Sequence, residues 1–220
     1  MSAKLEKLTE GIGQNAVVMS WDVDGVLLKL KPREQLLTAK AEWFVHGAEI
    51  IFQSQNPVFR GTRARISRSF LAKRAPNPEA IAALAHLKYQ KGKYLEQGTP
   101  FDIAILSDRP VDVHDLTARQ LGTDGDDGDV ADHWWENPVG QNPKKFKGGI
   151  AKALTQRGVR QMHIEDKRSS ADVMLEAGAE VYLLKNDYNA NQNNDFEGKL
   201  TVVDSPMEAV SLFLDSIKGK

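Results

Sequence analysis

The fold is indicated most clearly by residues 16 to 25, which read AVVMSWDVDG. An apolar run, Ala16 to Trp21, passes directly into two aspartates, Asp22 and Asp24, and a glycine. A short apolar run that ends at a glycine turn is typical of a strand buried on both faces of a parallel sheet. We therefore expect residues 16–21 to form a buried strand that carries two carboxylates at its carboxyl end.

Segments with strand character alternate with segments of helix character through the rest of the chain. Further strands are predicted at residues 101–106, 161–164, 180–184 and 199–203. Helices are predicted at residues 78–91, 111–121, 143–157, 169–177 and 206–217. This alternation predicts an α/β fold built on a doubly wound, mostly parallel sheet.

Polar side chains follow three of the predicted strands. The clusters are Asp22-Val23-Asp24-Gly25, Ser107-Asp108-Arg109 and Glu165-Asp166. Ligands of open parallel sheets bind outside the carboxyl ends of the strands. The three clusters are therefore expected to meet in one active site.

Asp22 and Asp24 are two residues apart, so on an extended segment their side chains leave on the same side. Two carboxylates held so close repel each other unless a cation lies between them, and Mg²⁺ prefers such oxygen ligands. The alternative is an Asp-Gly turn that merely ends a strand. The later Glu165-Asp166 pair, after another strand, favours the metal site.

Candidate phosphate ligands lie in the second cluster and at the start of the helix predicted at 143–157. Ser107 could donate a hydrogen bond to a phosphoryl oxygen, or it could cap the following helix. Lys144, Lys145 and Lys147 oppose the dipole of their helix, which is unfavourable and suggests that one of them neutralises a bound phosphate. At least two of the three are expected to be solvated.

The composition is that of an ordinary soluble globular protein of 220 residues, with 41% hydrophobic and 27% charged residues. The formal net charge of −1 gives the protein no overall electrostatic attraction to nucleic acid or to a membrane. The absence of cysteine excludes disulfides, thiolate metal sites and cysteine nucleophiles. No signal-peptide core or membrane-length apolar run is visible, so a cytoplasmic location without a membrane partner is expected.

A single domain spanning residues 1–220 is predicted, in which residues 34–75 interrupt the alternation as a small inserted cap. A basic run overlaps this insertion and consists of Arg60, Arg63, Arg65, Arg68, Lys73 and Arg74. We favour a solvated surface for it over a contact with nucleic-acid phosphates. Trp134 and Trp135 are expected to pack against the sheet.

With these residues in place, the chain resembles the haloacid dehalogenase superfamily of phosphohydrolases over most of residues 16–217. The resemblance implies a Rossmann-like fold and Mg²⁺ as cofactor. It implies that Asp22 is the nucleophile and forms an aspartyl-phosphate, and that Asp24 is the general acid and base. Ser107 and Lys147 would bind the transferred phosphoryl group, with Lys144 and Lys145 as alternatives to the lysine.

The metal site implied by the same resemblance uses Asp22, the backbone carbonyl of Asp24, and Asp166. Glu165 belongs to this group either as a further ligand or behind the ligands. The chain departs from the usual pattern here, because Glu165 replaces an aspartate and Ser170 stands where many relatives have one.

Two narrower resemblances concern the substrate. The segments DVDGVLLKLKPR and SDRPVDVHDLTARQL are similar to polynucleotide kinase 3'-phosphatase domains, which implies that Arg33 and Arg109 bind phosphate. The segments IEDKRSSADVMLEAG and LLKNDYN are similar to the 5'(3')-deoxyribonucleotidases. A nucleotide or a nucleic-acid end is therefore the expected substrate. Another small phosphoester, and a non-catalytic scaffold that binds phosphate or a partner, remain alternatives, and the oligomeric state is not predicted.

Overall fold

The computed structural model describes residues 7–29, 68, 71–122, 130–138, 142–186, 189 and 198–218. These residues contain six strands: β1 (Val17–Trp21), β2 (Asp102–Pro110), β3 (His133–Asn137), β4 (Arg160–Glu165), β5 (Glu180–Leu184) and β6 (Leu200–Val203). They form one sheet in the order β3-β2-β1-β4-β5-β6, and every neighbouring pair is parallel. The predicted doubly wound α/β fold is confirmed.

Helices cover the two faces of the sheet. They are α1 (Pro78–Glu96), α2 (His114–Gln120), α3 (Pro143–Gln156), α4 (Arg168–Glu176) and α5 (Pro206–Ile217). Helices α1 and α5 pack together on one face, and α3 and α4 pack together on the other. None of the helices in the described ranges has the length and apolar character needed to cross a membrane.

Strand β1 is buried on both faces, as its apolar sequence predicts. Met19 and Trp21 belong to the core beneath α1 and α5, whereas Val18 belongs to the core beneath α3 and α4. All three side chains are inaccessible to solvent. Burying each of them contributes roughly 1.5–3 kcal/mol, and this holds the end of β1 firmly in the middle of the sheet.

The structure differs from the sequence-based expectation in strands β2 and β3. Strand β2 continues to Pro110, so Ser107, Asp108 and Arg109 lie within the strand and not after it. Strand β3, with the sequence HWWEN, was not predicted, because its polar ends hide the apolar pattern. Its two tryptophans are therefore part of the sheet and do not merely pack against it.

The helix predicted at residues 111–121 is also shorter than expected. A 3₁₀ turn, Val111–Val113, comes first, and α2 follows it. Helix α2 thus begins seven residues after Ser107. Ser107 cannot be the N-cap of this helix, which is one of the two roles considered for it.

Most of the predicted insertion at residues 34–75 lies outside the described residues, as do Arg33 and residues 123–129. The two ends of the connection between β1 and α1 are described, and they are joined by hydrogen bonds. The amide of Lys29 donates to the carbonyl of Ala75 over 2.9 Å, and the amide of Asn77 donates to that of Leu27 over 2.8 Å. The two ends of this connection therefore lie side by side, a few residues after Asp24 and Gly25.

Candidate active site

Three carboxylates meet at the carboxyl ends of β1 and β4. The amide of Asp22 donates to the carbonyl of Ile164 over 3.0 Å, which extends the ladder between the two strands by one residue. This pairing brings Asp22 beside Glu165 and Asp166. One carboxylate oxygen of each lies within 4.8 Å of the others, so the first and third predicted clusters do form one site.

Lys147 enters this cluster from α3. Its Nζ lies 2.8 Å from Oδ1 of Asp22, 2.7 Å from Oε2 of Glu165 and 3.7 Å from Oδ2 of Asp108. The side chain is only 1% exposed, whereas Lys144 and Lys145 are exposed. Among the three candidate lysines, Lys147 is the one that reaches the site.

A helical spacing in the sequence could have identified Lys147 in advance. Lys147 lies three residues before Ile150 and seven before Leu154, and both of these are fully buried. Residues at this spacing share one face of a helix. Lys147 therefore lies on the buried face of α3, and its ammonium group reaches the carboxyl ends of β1 and β4.

Negative charge exceeds positive charge around Lys147. Burial alone would lower its pKa, but Asp108, Asp22 and Glu165 raise the pKa well above the usual lysine value. Lys147 is therefore charged. Burial and the neighbouring carboxylates raise the pKa of Asp22 well above its usual value, although Lys147 acts in the opposite direction.

Asp166 is the third carboxyl group of the cluster. Burial, together with the charge of Glu165, raises its pKa well above the usual aspartate value. Among the described residues, no Lys, Arg or His pairs with its carboxylate. Its backbone carbonyl is held in place by the side-chain amides of Asn186 and Asn189 over 2.8 and 3.1 Å.

A divalent cation fits this arrangement. The carboxylates of Asp22 and Asp166 are oxygen ligands that could hold Mg²⁺. The missing side chain of Gly25 leaves the space that the Asp166 carboxylate occupies. The residues present therefore suit a hard, oxygen-coordinated ion.

Glu165 is engaged in a different way from its two neighbours. Its Oε2 accepts the hydrogen bond of Lys147, and its Oε1 accepts the backbone amides of Asp166 and Lys167 over 3.2 and 3.1 Å. Burial raises the pKa of Glu165, but Lys147 and His163 outweigh it and hold the pKa below the usual glutamate value. This geometry favours Glu165 as the anchor of Lys147 over a direct metal ligand.

Asp24 is bound by two arginines. Nε of Arg109 donates to Oδ2 over 3.0 Å, and its Nη2 donates to Oδ1 over 2.6 Å. Nη1 of Arg74 also contacts Oδ1. Although burial raises the pKa of Asp24, the hydrogen bonds and charges of Arg109 and Arg74 hold it below the usual value.

Arg109 is thus directed at Asp24, and its remaining contacts are internal. Its Nη1 donates to Oγ1 of Thr117 over 3.1 Å and to Oε1 of Gln120 over 2.8 Å. Ser107 is buried two residues earlier and accepts the amide of Arg109 at its Oγ over 3.1 Å. The second predicted cluster therefore reaches the site through Asp108, which lies near Lys147, and through Arg109, which binds Asp24.

No pattern in the sequence indicates Arg74 as a site residue. It belongs to the basic run for which we favoured a solvated surface, yet its side chain is only 9% exposed. Arg68, from the same run, fits the expectation better, because its ion pair with Asp115 lies on the surface. The other three arginines of the run, at positions 60, 63 and 65, lie outside the described residues.

Comparison with known proteins yields structural neighbours only. No protein-family model and no curated protein sequence matches the chain. A proposed β-phosphoglucomutase from Thermotoga maritima superposes with a TM-score of 0.53 at 17% identity, covering 91% of this chain and 99% of its own. A haloacid dehalogenase-like family hydrolase from Streptococcus pneumoniae gives 0.52 at 13% identity, with 90% and 99% covered. These likenesses establish the shared α/β, Rossmann-like fold.

Proposed function

We propose that this chain is a Mg²⁺-dependent phosphomonoester hydrolase of the haloacid dehalogenase superfamily, and that it works through an aspartyl-phosphate on Asp22. The observation that carries the proposal is the position of Lys147 Nζ, between Oδ1 of Asp22 and Oε2 of Glu165. Covalent phosphoryl transfer needs a nucleophile, a positive charge beside it and an acid–base group. Asp22, Lys147 and Asp24 could provide them. A scaffold that only binds phosphate needs no acid–base group at Asp24.

In the first step, an oxygen of the Asp22 carboxylate attacks phosphorus and the bond from phosphorus to the leaving oxygen breaks. Asp24 in its protonated form gives its proton to that leaving oxygen, so the alcohol departs neutral. Lys147, whose Nζ is 2.8 Å from Oδ1 of Asp22, and the hydroxyl of Ser107 would stabilise the negative charge of the transferred phosphoryl group.

In the second step, water attacks phosphorus and the bond from phosphorus to the Asp22 oxygen breaks. Asp24 in its ionised form takes the proton of the water, so the step releases inorganic phosphate and restores the Asp22 carboxylate. The contacts from Arg109 and Arg74 favour the ionised form of Asp24, which is the form this step needs.

The metal would be held by the carboxylates of Asp22 and Asp166 and by the backbone carbonyl of Asp24. A bound Mg²⁺ supplies neutralisation of the phosphoryl oxygens during transfer. Glu165 would keep Lys147 pointed at the same oxygens. The surplus of carboxylates in the cluster supports this assignment, because a dication offsets charge that Lys147 alone does not.

For the substrate we propose a nucleotide or the terminal phosphate of a nucleic acid. The support is the resemblance of the segments around Asp22 and Ser107 to polynucleotide 3'-phosphatases. Arg33 and Arg109 would bind phosphate in that scheme, and Arg109 would have to exchange part of its contact with Asp24 for the substrate. Another small phosphoester is the alternative.

The test of the reaction is hydrolysis of p-nitrophenyl phosphate with Mg²⁺. The Asp22→Asn variant should fold normally, because the change is nearly isosteric, and should lose essentially all turnover. Asp215→Asn is the matched control, since Asp215 is exposed and remote from the cluster. Wild-type turnover in Asp22→Asn, or full activity in excess chelator, would reject the proposal.

The test of the substrate class is a kinetic comparison of nucleoside monophosphates, 3'- and 5'-phosphorylated oligonucleotides and sugar phosphates. We expect the highest kcat/KM for one of the first three. A clear preference for sugar phosphates would reject the nucleotide substrate and leave the phosphatase mechanism intact.

A further inference from the structure

We infer that Asn186 and Asn189 are positioning residues for Asp166, and that through Asp166 they set the affinity of the site for Mg²⁺. The inference rests on the proposed function, in which Asp166 is a ligand of the metal. It gives a role in metal binding to the two asparagines of the segment LLKNDYN, residues 183–189, whose resemblance to the deoxyribonucleotidases concerned only the substrate.

Asp166 lies just beyond the paired part of β4. The ladder between β4 and β5 ends with the pair Glu165 and Leu183, so Asp166 is the first residue after it. The amide of Asp166 donates to Oε1 of Glu165 over 3.2 Å. Its carbonyl accepts the side-chain amides of Asn186 over 2.8 Å and of Asn189 over 3.1 Å. Side chains therefore hold both sides of the Asp166 backbone, in a place where the ladder no longer fixes it.

The two asparagines also hold each other. The backbone amide of Asn186 donates to Oδ1 of Asn189 over 2.8 Å, and the backbone amide of Asn189 donates to Oδ1 of Asn186 over 3.1 Å. Nδ2 of Asn189 donates to the carbonyl of Leu184 over 2.7 Å as well as to that of Asp166. Asn189 is buried, and it thus ties the end of β5 to the residue that follows β4.

An asparagine side chain suits this arrangement because it combines one acceptor oxygen with a nitrogen that carries two donors. In each asparagine the oxygen accepts a backbone amide of the other, and the nitrogen faces the carbonyl of Asp166. An aspartate at either position would place a carboxylate oxygen against that carbonyl. The pair is therefore built to fix the residue that it surrounds.

The carboxylate of Asp166 depends on this support from its backbone. Among the described residues, no Lys, Arg or His pairs with it. One oxygen each of Asp22, Glu165 and Asp166 lie within 4.8 Å of one another, and like charges at this distance repel. Without the two asparagines, Asp166 should move away from the cluster, and the site should bind Mg²⁺ less tightly.

The experiment compares Asn186→Ala and Asn189→Ala with the wild type by calorimetric titration of the metal-free full chain with Mg²⁺, without substrate. Loss of a group that orients a metal ligand typically lowers metal affinity by about 10- to 100-fold. We expect the dissociation constant to rise about 10-fold in Asn186→Ala and toward about 100-fold in Asn189→Ala, which also loses the contact with Leu184. The value of kcat on p-nitrophenyl phosphate at saturating Mg²⁺ should change little.

The matched control is Tyr94→Phe, which also removes a side-chain donor to a backbone carbonyl, that of Leu214 over 3.1 Å. Tyr94 packs against Phe101, immediately before β2, and so lies at the amino ends of the strands, away from the site. Loss of its hydrogen bond should lower the stability of the fold and leave the Mg²⁺ dissociation constant unchanged. An equal rise of that constant in Tyr94→Phe, or no rise in the asparagine variants, would overturn the inference.

Asn186 is less buried than Asn189. If Asn189→Ala does not fold, Asn186→Ala must therefore show the rise by itself. A wild-type protein that binds no Mg²⁺ would also overturn the inference. Failure of the proposed function is separate, because it would appear as turnover in Asp22→Asn while the dissociation constants of the asparagine variants still rise.

Discussion

The Cα atom of Gly25 lies directly against the carboxylate of Asp166. A Cβ added to Gly25 would be 1.9 Å from Oδ2 of Asp166, and the φ angle of Gly25 is +94°. The glycine thus serves the turn after Asp24 and also leaves room for a carboxylate that comes from β4. The position of Asp166 depends on the absence of a side chain in a different part of the chain.

Gly25→Ala should displace Asp166 and weaken the binding of Mg²⁺. Disturbing a group that orients a metal ligand typically costs about 10- to 100-fold in metal affinity, and we expect a rise of that order in the Mg²⁺ concentration for half-maximal activity. A magnesium titration of p-nitrophenyl phosphate hydrolysis measures it.

The matched control for this variant is Gly98→Ala. Gly98 also has a positive φ angle, +76°, but nothing lies within 4 Å of its added Cβ. Both variants should lose stability, about 1–2 kcal/mol from the left-handed backbone conformation. Only Gly25→Ala should change the magnesium requirement. The same requirement in the two variants would show that Asp166 does not depend on Gly25.

Lys147→Met should destabilise the fold strongly, because it leaves Asp22, Glu165 and Asp108 without their cation. Removing one partner of a buried ion pair costs roughly 3–5 kcal/mol. Lys145→Met, on the exposed side of the same helix, should change the free energy of unfolding by less than about 0.5 kcal/mol. Urea denaturation of the two variants measures the difference.

The loss in Lys147→Met should also depend on pH. Without the lysine, the folded-state pKa values of Asp22, Asp108 and Glu165 rise, because Lys147 lowers each of them in the wild type. Carboxylates with raised folded-state pKa values lose stability as pH rises above the unfolded value of about 4. The deficit against the wild type should therefore be larger at pH 8 than at pH 5. An equal deficit at the two pH values would mean that Lys147 contributes packing and not charge.

Asp102→Asn should lose stability at neutral pH and not in acid. The hydrogen bond with His133 lowers the pKa of Asp102; burial opposes this shift, and Lys91 adds to it. A carboxylate with a lowered folded-state pKa stabilises the fold at pH values above its unfolded-state pKa of about 4. This stabilisation is lost as the pH falls through the folded-state pKa. We expect a deficit of about 1 kcal/mol or less at pH 7 that disappears toward pH 3.

The matched control for Asp102→Asn is Asp215→Asn, because Asp215 pairs with Lys218 on the surface. Its unfolding free energy should follow the wild type at every pH. Urea denaturation between pH 3 and pH 7 measures the two variants. A deficit in Asp102→Asn that is the same at pH 3 as at pH 7 would exclude the ion pair as its cause.

The sequence could predict the features that depend on neighbouring residues. The apolar run before Asp22 indicates a strand buried on both faces, and β1 is such a strand. The polar residues after it and after β4 indicate a common site, since parallel strands present their carboxyl ends at one edge. Strand β3 was missed, because HWWEN contains too few apolar residues to show a strand pattern.

The partners of Asp24 could be found only in the tertiary structure. Arg109 and Asp24 are 85 residues apart, and no local spacing indicates that a guanidinium from β2 will turn toward Asp24 and not toward a ligand. Arg74 looks, in the sequence, like one of several surface arginines. It is buried because the segment before α1 returns to the turn after β1, and Gln120 holds it there.

The sequence by itself therefore determined strands β1 and β4, which lie in the middle of the sheet. It also determined the two aspartates after β1 and the acidic pair after β4. Apolar periodicity and the residues at strand ends are local properties of the sequence. They do not depend on how distant parts of the chain are arranged. Only the tertiary structure decided which arginines hold Asp24. These choices depend on how helices pack and where a long connection returns, and such contacts between distant residues leave no pattern in a single sequence.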